Sequence, residues 1–364
     1  MKLLYITNGI NGAGGLERIL ALKINYFITH FGYEVHVVTL NGGHEKPFYE
    51  FHKEIQFHDL SVFGNPLHYW QSYKKGIRAV VQRLQPDIVL VCDDGLKGLC
   101  LPMLLGNKQR IIYERHVSKA IEFHENMGFL KRLLVRGKHQ LMNYLGTKFD
   151  RFVVLTEGNT QEWPLRNLVV IPNCLTFYPK DNATLEVRRL IAVGKHGYQK
   201  GFDRLLQSWQ MIYTQFPDWS LHVYGKYEAD QALIRQADAM GLTGSVVFHP
   251  PTPAIQEAYF EASIFVFPSR FEGFGMVLTE AMACGLPCIS YDCPYGPSDI
   301  IQQGIDGLLI ENGHIEGFAE AIRTLIQDVE LRKAMGASAK INVQRYAPEA
   351  VMGQWQELFN SLNR

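Results

Sequence analysis

FVFPSRFEGFGMVLTEAMACG, residues 265–285, predicts a buried strand, a glycine-containing turn and a helix in direct succession. The run at residues 264–268 is apolar and has the length of a strand buried in a parallel sheet. Residues 276–284 favour a helix, and Gly285 and Pro287 provide the usual stop signals after it. Because the first N–H groups of a helix lack partners within it, this arrangement predicts an anion-binding turn.

Two glutamates lie in this turn and helix, and their carboxylates limit the ligands that could bind there. Glu272 falls within the turn, and Glu280 lies about a turn and a half inside the helix. A carboxylate repels phosphate but is a good acceptor for hydroxyl groups. We therefore expect a ligand that carries hydroxyls beside its phosphates. The alternative interpretation is an ordinary buried helix with a solvated glutamate.

The complete string resembles the signature of a known enzyme family. Its residues are Ser269, Glu272-Gly273-Phe274-Gly275, Glu280-Ala281-Met282-Ala283, Gly285 and Pro287. It resembles the retaining, nucleotide-sugar-dependent glycosyltransferases of family four, in which a pair of glutamates has this spacing. The resemblance implies an α/β protein of the GT-B fold, with two Rossmann-like parallel-sheet domains facing across a cleft. It also implies a C-terminal helix that returns to the N-terminal domain.

Strands alternate with helices along the whole chain, as is typical of parallel α/β sheets. The chain has 364 residues, more than one ordinary core needs, so two domains are expected. Residues 174–187 have little periodicity and predict an interdomain linker. With the resemblance, this gives an acceptor-binding domain over residues 1–174 and a nucleotide-sugar-binding domain over residues 188–345. The helix at residues 346–364 is expected to pack on the first of these.

The first turn of the second domain supplies two cations. Residues 194–203 read GKHGYQKGFD and resemble the family's G-R-x-x-x-x-K-G-F-D turn, with Lys195 where arginine is usual. Lys195 and Lys200 suit the two phosphates of a nucleoside diphosphate, although lysine lacks the bidentate fork of arginine. The alternative interpretation is a pair of solvated surface lysines.

The N-terminal domain offers a glycine-rich turn and a histidine. Gly14 and Gly15 follow the first strand, and the resemblance implies that their backbone N–H groups approach the donor diphosphate. The glycines do not fit G-x-G-x-x-G, and residues 39–41 close the second strand without an acid, which disfavours a dehydrogenase. His116 follows the strand at residues 110–114, where open sheets bind ligands. The resemblance places it near the donor sugar and the acceptor; the alternative is a structural histidine.

The resemblance also assigns roles. Glu280 would bind the ribose hydroxyls, Glu272 would lie near hydroxyls of the donor sugar, and Lys200 would stabilise charge on the leaving diphosphate. The expected catalytic residues are Glu272, Lys200 and His116. The expected substrate-binding residues are Gly14, Gly15, Lys195, Lys200, Glu272, Gly273, Phe274, Gly275, Met276, Val277 and Glu280. No cofactor or metal is expected, since cations and a helix N-terminus usually replace the metal in this fold.

Charge is distributed unevenly along the chain. Residues 1–172 contain 21 Lys and Arg against 15 Asp and Glu, a net charge of +6, and the remainder carries −6. Residues 129–149 predict an amphipathic helix with leucines on one side and cations elsewhere. The leucines are Leu130, Leu133, Leu134, Leu141 and Leu145, and the cations are Lys131, Arg132, Arg136, Lys138 and Lys148. Such a helix can lie on an anionic membrane surface. The alternatives are a chance fluctuation of charge and a core-packed helix with a solvated basic face.

The start of the chain does not resemble a signal peptide, and no window approaches the ~18 apolar residues of a spanning helix. We expect a cytoplasmic protein, peripheral on the inner face of the cytoplasmic membrane, with its six cysteines as free thiols.

Taken with these features, the family resemblance implies a retaining hexosyltransferase. It would move a hexose or N-acetylhexosamine from a nucleotide-diphosphate sugar, foremost a UDP-sugar, to a lipid-linked glycan of a lipopolysaccharide or capsule. Two alternatives remain open: a nucleotide-sugar 2-epimerase of the same fold and a non-catalytic nucleotide-binding subunit. No nucleic acid is expected as a partner.

Overall fold

The computed structural model describes residues 1–12, 14–42, 46–106, 108–122 and 127–362. The chain divides into two units: unit 1 comprises Met1–Cys174 and Pro348–Arg364, and unit 2 comprises Leu175–Ala347. Ala13, which belongs to the predicted N-terminal turn, and the last two residues of the predicted final helix lie outside the described residues.

Unit 1 is built on a parallel sheet that contains, within the described residues, seven strands in the order β3-β2-β1-β4-β5-β6-β7. The strands are β1 (Lys2–Thr7), β2 (Glu34–Leu40), β3 (Gln56–Leu60), β4 (Ile88–Cys92), β5 (Arg110–Glu114), β6 (Arg151–Val154) and β7 (Leu168–Val170). Tyr5 of β1 lies opposite Val37 on one side and Leu90 on the other. β1 and β4 are apolar and buried, as expected for strands covered by helices on both faces. The strand order reverses between these two strands, which opens a crevice at their carboxyl ends.

Within the described residues, five α-helices precede the second unit. They are α1 (Gly15–Phe31), α2 (Pro66–Leu84), α3 (Leu96–Leu99), α4 (Leu101–Leu105) and α5 (Phe129–Gly146). α1 ends at Gly32, whose φ of 64° suits glycine, and α2 begins where the Asn65 side chain accepts a 2.9 Å hydrogen bond from the His68 N–H. The sequence pattern predicts one helix over residues 96–105; the structure has two, because Pro102 cannot donate a helical hydrogen bond and instead lies in the first turn of α4.

α5 does not bury its leucines as a core-packed helix would. Leu145 is buried, and it anchors the end of the helix together with Met142 and Gly146. The other four predicted leucines are exposed: Leu130, Leu133, Leu134 and Leu141. The described part of the chain has no helix that is both long enough and apolar enough to cross a membrane.

Unit 2 repeats the architecture with a six-stranded parallel sheet in the order β10-β9-β8-β11-β12-β13. The strands are β8 (Arg189–Val193), β9 (Ser220–Tyr224), β10 (Val246–His249), β11 (Ile264–Phe267), β12 (Cys288–Asp292) and β13 (Gly307–Glu311). The helices are α6 (Phe202–Gln210), α7 (Ala232–Ala239), α8 (Ile255–Phe260), α9 (Met276–Ala283), α10 (Pro297–Ile300), α11 (Ile315–Gln327) and α12 (Val329–Asn342). The order reverses between β8 and β11, so the loops after these two strands border the crevice of this sheet.

The last helix, α13 (Pro348–Leu362), belongs to unit 1. Its buried residues include Val351, Trp355 and Phe359, and the Phe359 ring packs edge-on against Phe27 of α1 at 5.5 Å. Both ends of the chain therefore contribute to the core of unit 1.

Two predicted helices are shorter in the structure. A helix predicted over residues 157–166 is a 3₁₀ helix, Gly158–Glu162, followed by Pro164. A helix predicted over residues 202–216 ends at Gln210 and continues as the 3₁₀ turn Tyr213–Gln215. The six cysteines are free, and Cys284, Cys288 and Cys293 are buried, as expected of small apolar side chains.

Candidate functional site

The turn between β11 and α9 ends at Gly275, whose φ of 107° strongly favours glycine. Close behind it, a Cβ on Gly296 would lie 2.0 Å from the Phe274 carbonyl oxygen, so only glycine fits there. Among the described residues, the backbone N–H groups of Gly275, Met276 and Val277 have no hydrogen-bond acceptor. Unpaired donors at the positive end of a helix can bind an anion.

The loop between β8 and α6 packs against the β11 loop. Gly201 has a φ of 64°, and a Cβ on it would lie 2.1 Å from the Pro268 carbonyl oxygen, so the two backbones touch here. The Arg270 N–H also donates a 2.8 Å hydrogen bond to the Gln199 carbonyl. Lys195 is exposed and forms no ion pair or hydrogen bond with the described residues.

The paired loops bring Lys200 and Glu272 together. The Lys200 Nζ donates to Glu272 Oε1 at 2.7 Å, and Gln199 Nε2 lies 3.4 Å from the other oxygen. The side chains are 20 % and 7 % exposed, so the pair is shielded but can be reached by a ligand. The sequence predicts both residues for the site but does not predict that they contact each other.

A second ion pair, missed by the sequence reasoning, ties the same loops together. The Arg270 guanidinium donates to both carboxylate oxygens of Asp203, at 2.8 and 2.6 Å, and also to the Tyr198 carbonyl at 2.8 Å. Burial raises the pKa of Asp203, but the hydrogen bonds and charge of Arg270 outweigh burial and hold the pKa below its usual value. Asp203 lies in the quoted stretch at residues 194–203, and Arg270 lies in the one at residues 265–285. Their membership of these two motifs is the one feature of the sequence that could have indicated their contact.

Glu280 lies inside α9 and is 3 % exposed. Its Oε1 accepts a 3.0 Å hydrogen bond from the Thr176 hydroxyl, and its Oε2 accepts one of 3.3 Å from the Tyr259 hydroxyl. A carboxylate offers about four acceptor positions, so these two bonds alone do not exhaust it. The two hydroxyls fix the orientation of the carboxylate.

In unit 1, Gly14 caps α1 and Gly15 begins it. A Cβ on Gly12 or Gly14 would lie 2.5 Å from a carboxylate oxygen of Glu17, which folds back over the turn. An open depression of about 460 Å³ lies beside this turn, at the carboxyl ends of β1, β2 and β4. Polar groups of Asn8, Asn11 and Asp94 line part of it, which suits a hydroxyl-rich ligand.

His116 follows β5 and is held by a buried carboxylate. Its Nε2 lies 3.3 Å from Oε2 of Glu114, which also accepts a hydrogen bond from the Lys23 ammonium. Burial raises the pKa of Glu114, but Lys23 and His116 outweigh it and lower the pKa to about 2. Glu114 is therefore a carboxylate at neutral pH and fixes the position of the His116 ring.

Donor atoms of Cys92, Glu114 and His116 lie within 4.8 Å of one another, the spacing of metal ligands. One feature opposes a metal at this cluster. The Lys23 ammonium already neutralises Glu114 and contacts the same carboxylate oxygen that lies nearest His116. The cluster is better explained as a buried ion pair beside a thiol.

Two family descriptions match the chain, one in each unit. Residues 177–341 match "Glycosyl transferases group 1", and residues 14–145 match "Glycosyl transferase 4-like". An uncharacterized glycosyltransferase of Haemophilus influenzae is 30 % identical over 98 % of this chain and 99 % of its own length. The lipopolysaccharide 1,6-galactosyltransferase of Salmonella typhimurium is 34 % identical over 90 % of each chain.

Solved structures share the fold. The HepE protein of Anabaena, in complex with UDP-glucose, superposes with a TM-score of 0.79 over 99 % of this chain and 100 % of its own, at 16 % identity. The chain has two doubly wound parallel sheets and a strand–turn–helix that carries Glu272 and Glu280, and its relatives match it nearly end to end. We conclude that the chain belongs to the glycosyl transferases group 1 family and is a glycosyltransferase of the GT-B fold.

Proposed function

We propose that this protein is a retaining hexosyltransferase that uses a UDP-sugar. It transfers a hexose or N-acetylhexosamine to a growing, lipid-linked cell-surface glycan. The observation that carries the proposal is the convergence of the Lys200 ammonium, the Glu272 carboxylate and three unpaired N–H groups at the start of α9. Such a set can bind phosphate and sugar hydroxyls side by side. The UDP-glucose complex of the Anabaena protein and the Salmonella galactosyltransferase support this choice of donor and acceptor.

The donor would be held by charge and by hydroxyl recognition. Lys195, Lys200 and the N–H groups of Gly275, Met276 and Val277 would bind the diphosphate. Glu280 would accept hydrogen bonds from the ribose hydroxyls, and Glu272 from hydroxyls of the sugar. The Lys200 ammonium has three N–H donors, so its bond to Glu272 leaves two for phosphate oxygens. One side chain can thus join the sugar site to the phosphate site.

Transfer would proceed on one face of the sugar. The bond between the sugar C1 and the phosphate oxygen breaks, and negative charge grows on the leaving diphosphate. The acceptor hydroxyl oxygen bonds to C1 from the same side and gives its proton to the phosphate oxygen. Lys200 and the α9 N–H groups stabilise the growing charge without a metal ion or cofactor, which makes them a preorganised oxyanion site.

Unit 1 would bind the acceptor. His116, oriented by Glu114 and Lys23, would lie near the transferred sugar. The backbone N–H groups of Gly14 and Gly15 would approach the donor diphosphate. The depression lined by Asn8, Asn11 and Asp94 offers amide and carboxylate partners to sugar hydroxyls. Because the proposed acceptor is lipid-linked, the protein would work in the cytoplasm at the inner face of the membrane.

A nucleotide-release assay tests the proposal. Purified protein is given UDP-, GDP- and ADP-sugars, with and without lipid-linked glycan acceptors, and the released nucleotide and the anomeric configuration of the product are measured. We expect UDP release that depends on the acceptor and a product with the anomeric configuration of the donor. Glu280→Ala, which loses the proposed ribose contact, should abolish UDP release.

Other outcomes would identify the alternatives. Interconversion of the sugar without an acceptor would indicate a 2-epimerase. Donor binding without release or interconversion, across the panel, would indicate a nucleotide-binding subunit. An inverted product would contradict the retaining mechanism.

A further inference from the structure

The outer face of α5 carries five exposed apolar side chains, which we call the α5 stripe: Leu130, Leu133, Leu134, Leu141 and Tyr144. Their exposed fractions lie between 47 % and 74 %. With 3.6 residues per turn, the five positions fall within about 100° of the helix circumference. Phe129, at the start of the helix, is 78 % exposed and extends the apolar surface.

The stripe is not the face by which α5 packs on its unit. That face is formed by Met142, Leu145 and Gly146, which are buried. A Cβ on Gly146 would lie 2.8 Å from a methyl group of Leu165, so the helix approaches the core closely there. α5 therefore has two apolar faces, one in the core and one in solvent.

A large exposed apolar surface commonly marks an interaction site. From Leu130 to Tyr144 the stripe extends about 21 Å, at 1.5 Å per residue. Isolated exposed leucines are ordinary. Five exposed apolar side chains on one face of a single helix are not, although Gly137 interrupts the row between Leu134 and Leu141.

The charges beside the stripe indicate what covers it. At 100° per residue, Lys131 and Lys138 fall on one side of the stripe and Arg136 falls on the other, each about 100° from its middle. Arg132 lies about 150° from the middle, nearly on the opposite face. α5 contains no acidic residue. Lys138 is paired with Glu122 at 2.9 Å, whereas Lys131 and Arg136 form no ion pair or hydrogen bond with the described residues.

We infer that the α5 stripe enters the headgroup region of an anionic membrane. Acyl chains would cover the leucines, and anionic headgroups would neutralise the cations on both sides. A second copy of α5 is a poorer partner, because pairing the stripes would bring the cations of one helix against those of the other. The inference rests on the proposed membrane location of the acceptor and specifies which surface makes that contact.

Two forces would then act together, and they respond differently to salt. Attraction of the cations to headgroups is screened at about half-molar salt, whereas burial of the leucines is not. Each cation near the surface strengthens binding by about fivefold, since it contributes ~1 kcal/mol. Binding should therefore weaken strongly in salt but retain a residual apolar component.

Co-sedimentation of the full chain with vesicles tests this inference. The vesicles contain phosphatidylcholine alone or with phosphatidylglycerol, at low salt and at about half-molar salt. We expect binding to the anionic vesicles. The substitutions Leu130→Asn, Leu133→Asn and Leu134→Asn together should weaken it by roughly a hundredfold or more, because three leucine burials are lost. The charge-reversed triple variant Lys131→Glu, Arg132→Glu and Arg136→Glu should also lose it.

A matched control replaces three exposed apolar residues outside α5: Leu67→Asn, Met103→Asn and Ile341→Asn. The control should bind like the parent protein. If the leucine variant pellets as well as the parent, or if the control loses binding equally, the inference is wrong. A parent protein that ignores vesicles but forms a dimer that the leucine variant disrupts would instead assign the stripe to a second copy.

The test also separates this inference from the proposed function. Transfer to a short, soluble glycan acceptor should be unchanged in the leucine variant, because the stripe contributes no residue to the candidate site. Vesicle binding without any transferase activity would leave the membrane surface in place and overturn the proposed function. Transferase activity without vesicle binding would support the proposed function and overturn the inference about the α5 stripe.

Discussion

The bond between Lys200 and Glu272 means that the two side chains hold each other in place before a donor binds. Lys200→Ala removes the ammonium that would stabilise charge on the leaving diphosphate. We expect turnover at saturating donor to fall by about a hundredfold, as for the loss of an oxyanion donor. Steady-state kinetics with a UDP-sugar as the donor measure this loss of turnover.

The control is Lys333→Ala, which removes an exposed lysine of the same unit that pairs with Glu186. Lys333→Ala should leave both the turnover number and the Michaelis constant for the donor unchanged. Normal turnover of Lys200→Ala with only a raised Michaelis constant would show that Lys200 binds the ground state and the transition state equally, against the catalytic role.

The Lys23–Glu114 pair should govern the stability of unit 1. Both side chains are buried, so Glu114→Gln leaves an ammonium without a counter-charge and should cost about 3–5 kcal/mol. Lys23→Met should cost a similar amount. The double variant should lose less than the sum of the single losses, because neither charge is then buried alone. Denaturant unfolding of the four proteins measures this coupling, and strict additivity would contradict it.

The same pair predicts a dependence on pH. The folded-state pKa of Glu114 is about 2, below the 4.5 of the unfolded group. A lowered carboxyl pKa contributes stability that is complete above the unfolded pKa and is lost as pH falls towards the folded one. Between pH 4.5 and 2 the parent should therefore lose more thermal stability than the double variant. Parallel melting curves for the two proteins over this range would contradict the prediction.

At the scale of elements, the Asp203–Arg270 pair joins the start of α6 to the loop that follows β11. Lys200 precedes Asp203 and Glu272 follows Arg270, so the pair should set the distance between Lys200 and Glu272, the two side chains for which we propose a role. Arg270→Lys keeps the charge but loses the bidentate geometry. We expect turnover to fall by about tenfold with little change in donor affinity, because the parts that bind the ground state remain.

The exchanged variant, Asp203→Arg with Arg270→Asp, checks whether the contact itself matters. It should recover part of the turnover that Arg270→Asp alone loses. Unchanged turnover in both Arg270→Lys and Arg270→Asp would show that the pair does not position Lys200 and Glu272. A loss confined to melting temperature would limit the pair to stability.

Element boundaries show where sequence patterns were sufficient. The strand and helix predicted around residues 265–285 are present as β11 and α9, because a short apolar run, glycines and a stop signal are local information. The contacts of Glu272 with Lys200 and of Arg270 with Asp203 join residues that lie 72 and 67 positions apart. No local pattern encodes such contacts.

α5 shows a different limit. Its period predicts an apolar face, but a period alone cannot tell whether that face meets the core or solvent. Of the five predicted leucines only Leu145 reaches the core, together with Met142. These two residues lie about 70° and 130° around the helix from the middle of the stripe. Only the position of the helix on its sheet determines which of its two apolar faces is buried.

At the scale of the whole molecule, the alternation of strands and helices predicts two parallel α/β sheets, and both are confirmed. The strand orders were not predictable from that alternation, because pairing between β1 and β4 depends on residues about 85 positions apart. The family resemblance, which rests on a few motifs in the loops, supplied what periodicity could not: the GT-B fold and transferase activity.

The chain closes unit 1 with its last helix, and this gives a prediction for the whole molecule. α13 buries Val351, Met352, Trp355, Leu358, Phe359 and Leu362 in unit 1. At ~1.5–3 kcal/mol for each of these buried side chains, their loss amounts to roughly 9–18 kcal/mol, comparable with the stability of an entire domain. Ending the chain at Ala347 should therefore unfold unit 1, whereas unit 2, which ends there, should keep its own core.

Hydrogen exchange read by mass spectrometry distinguishes the units in this truncated chain. We expect β1, β4 and β5 to lose protection, while β8, β11 and α9 remain protected and UDP still binds. A full-length control with Gln354→Ala, Glu357→Ala and Asn360→Ala changes α13 without touching its buried residues, and it should behave like the parent protein. Persistent protection of β1 and β4 after truncation would show that residues 1–174 fold without α13. Loss of protection in both units would show instead that unit 2 depends on a folded unit 1.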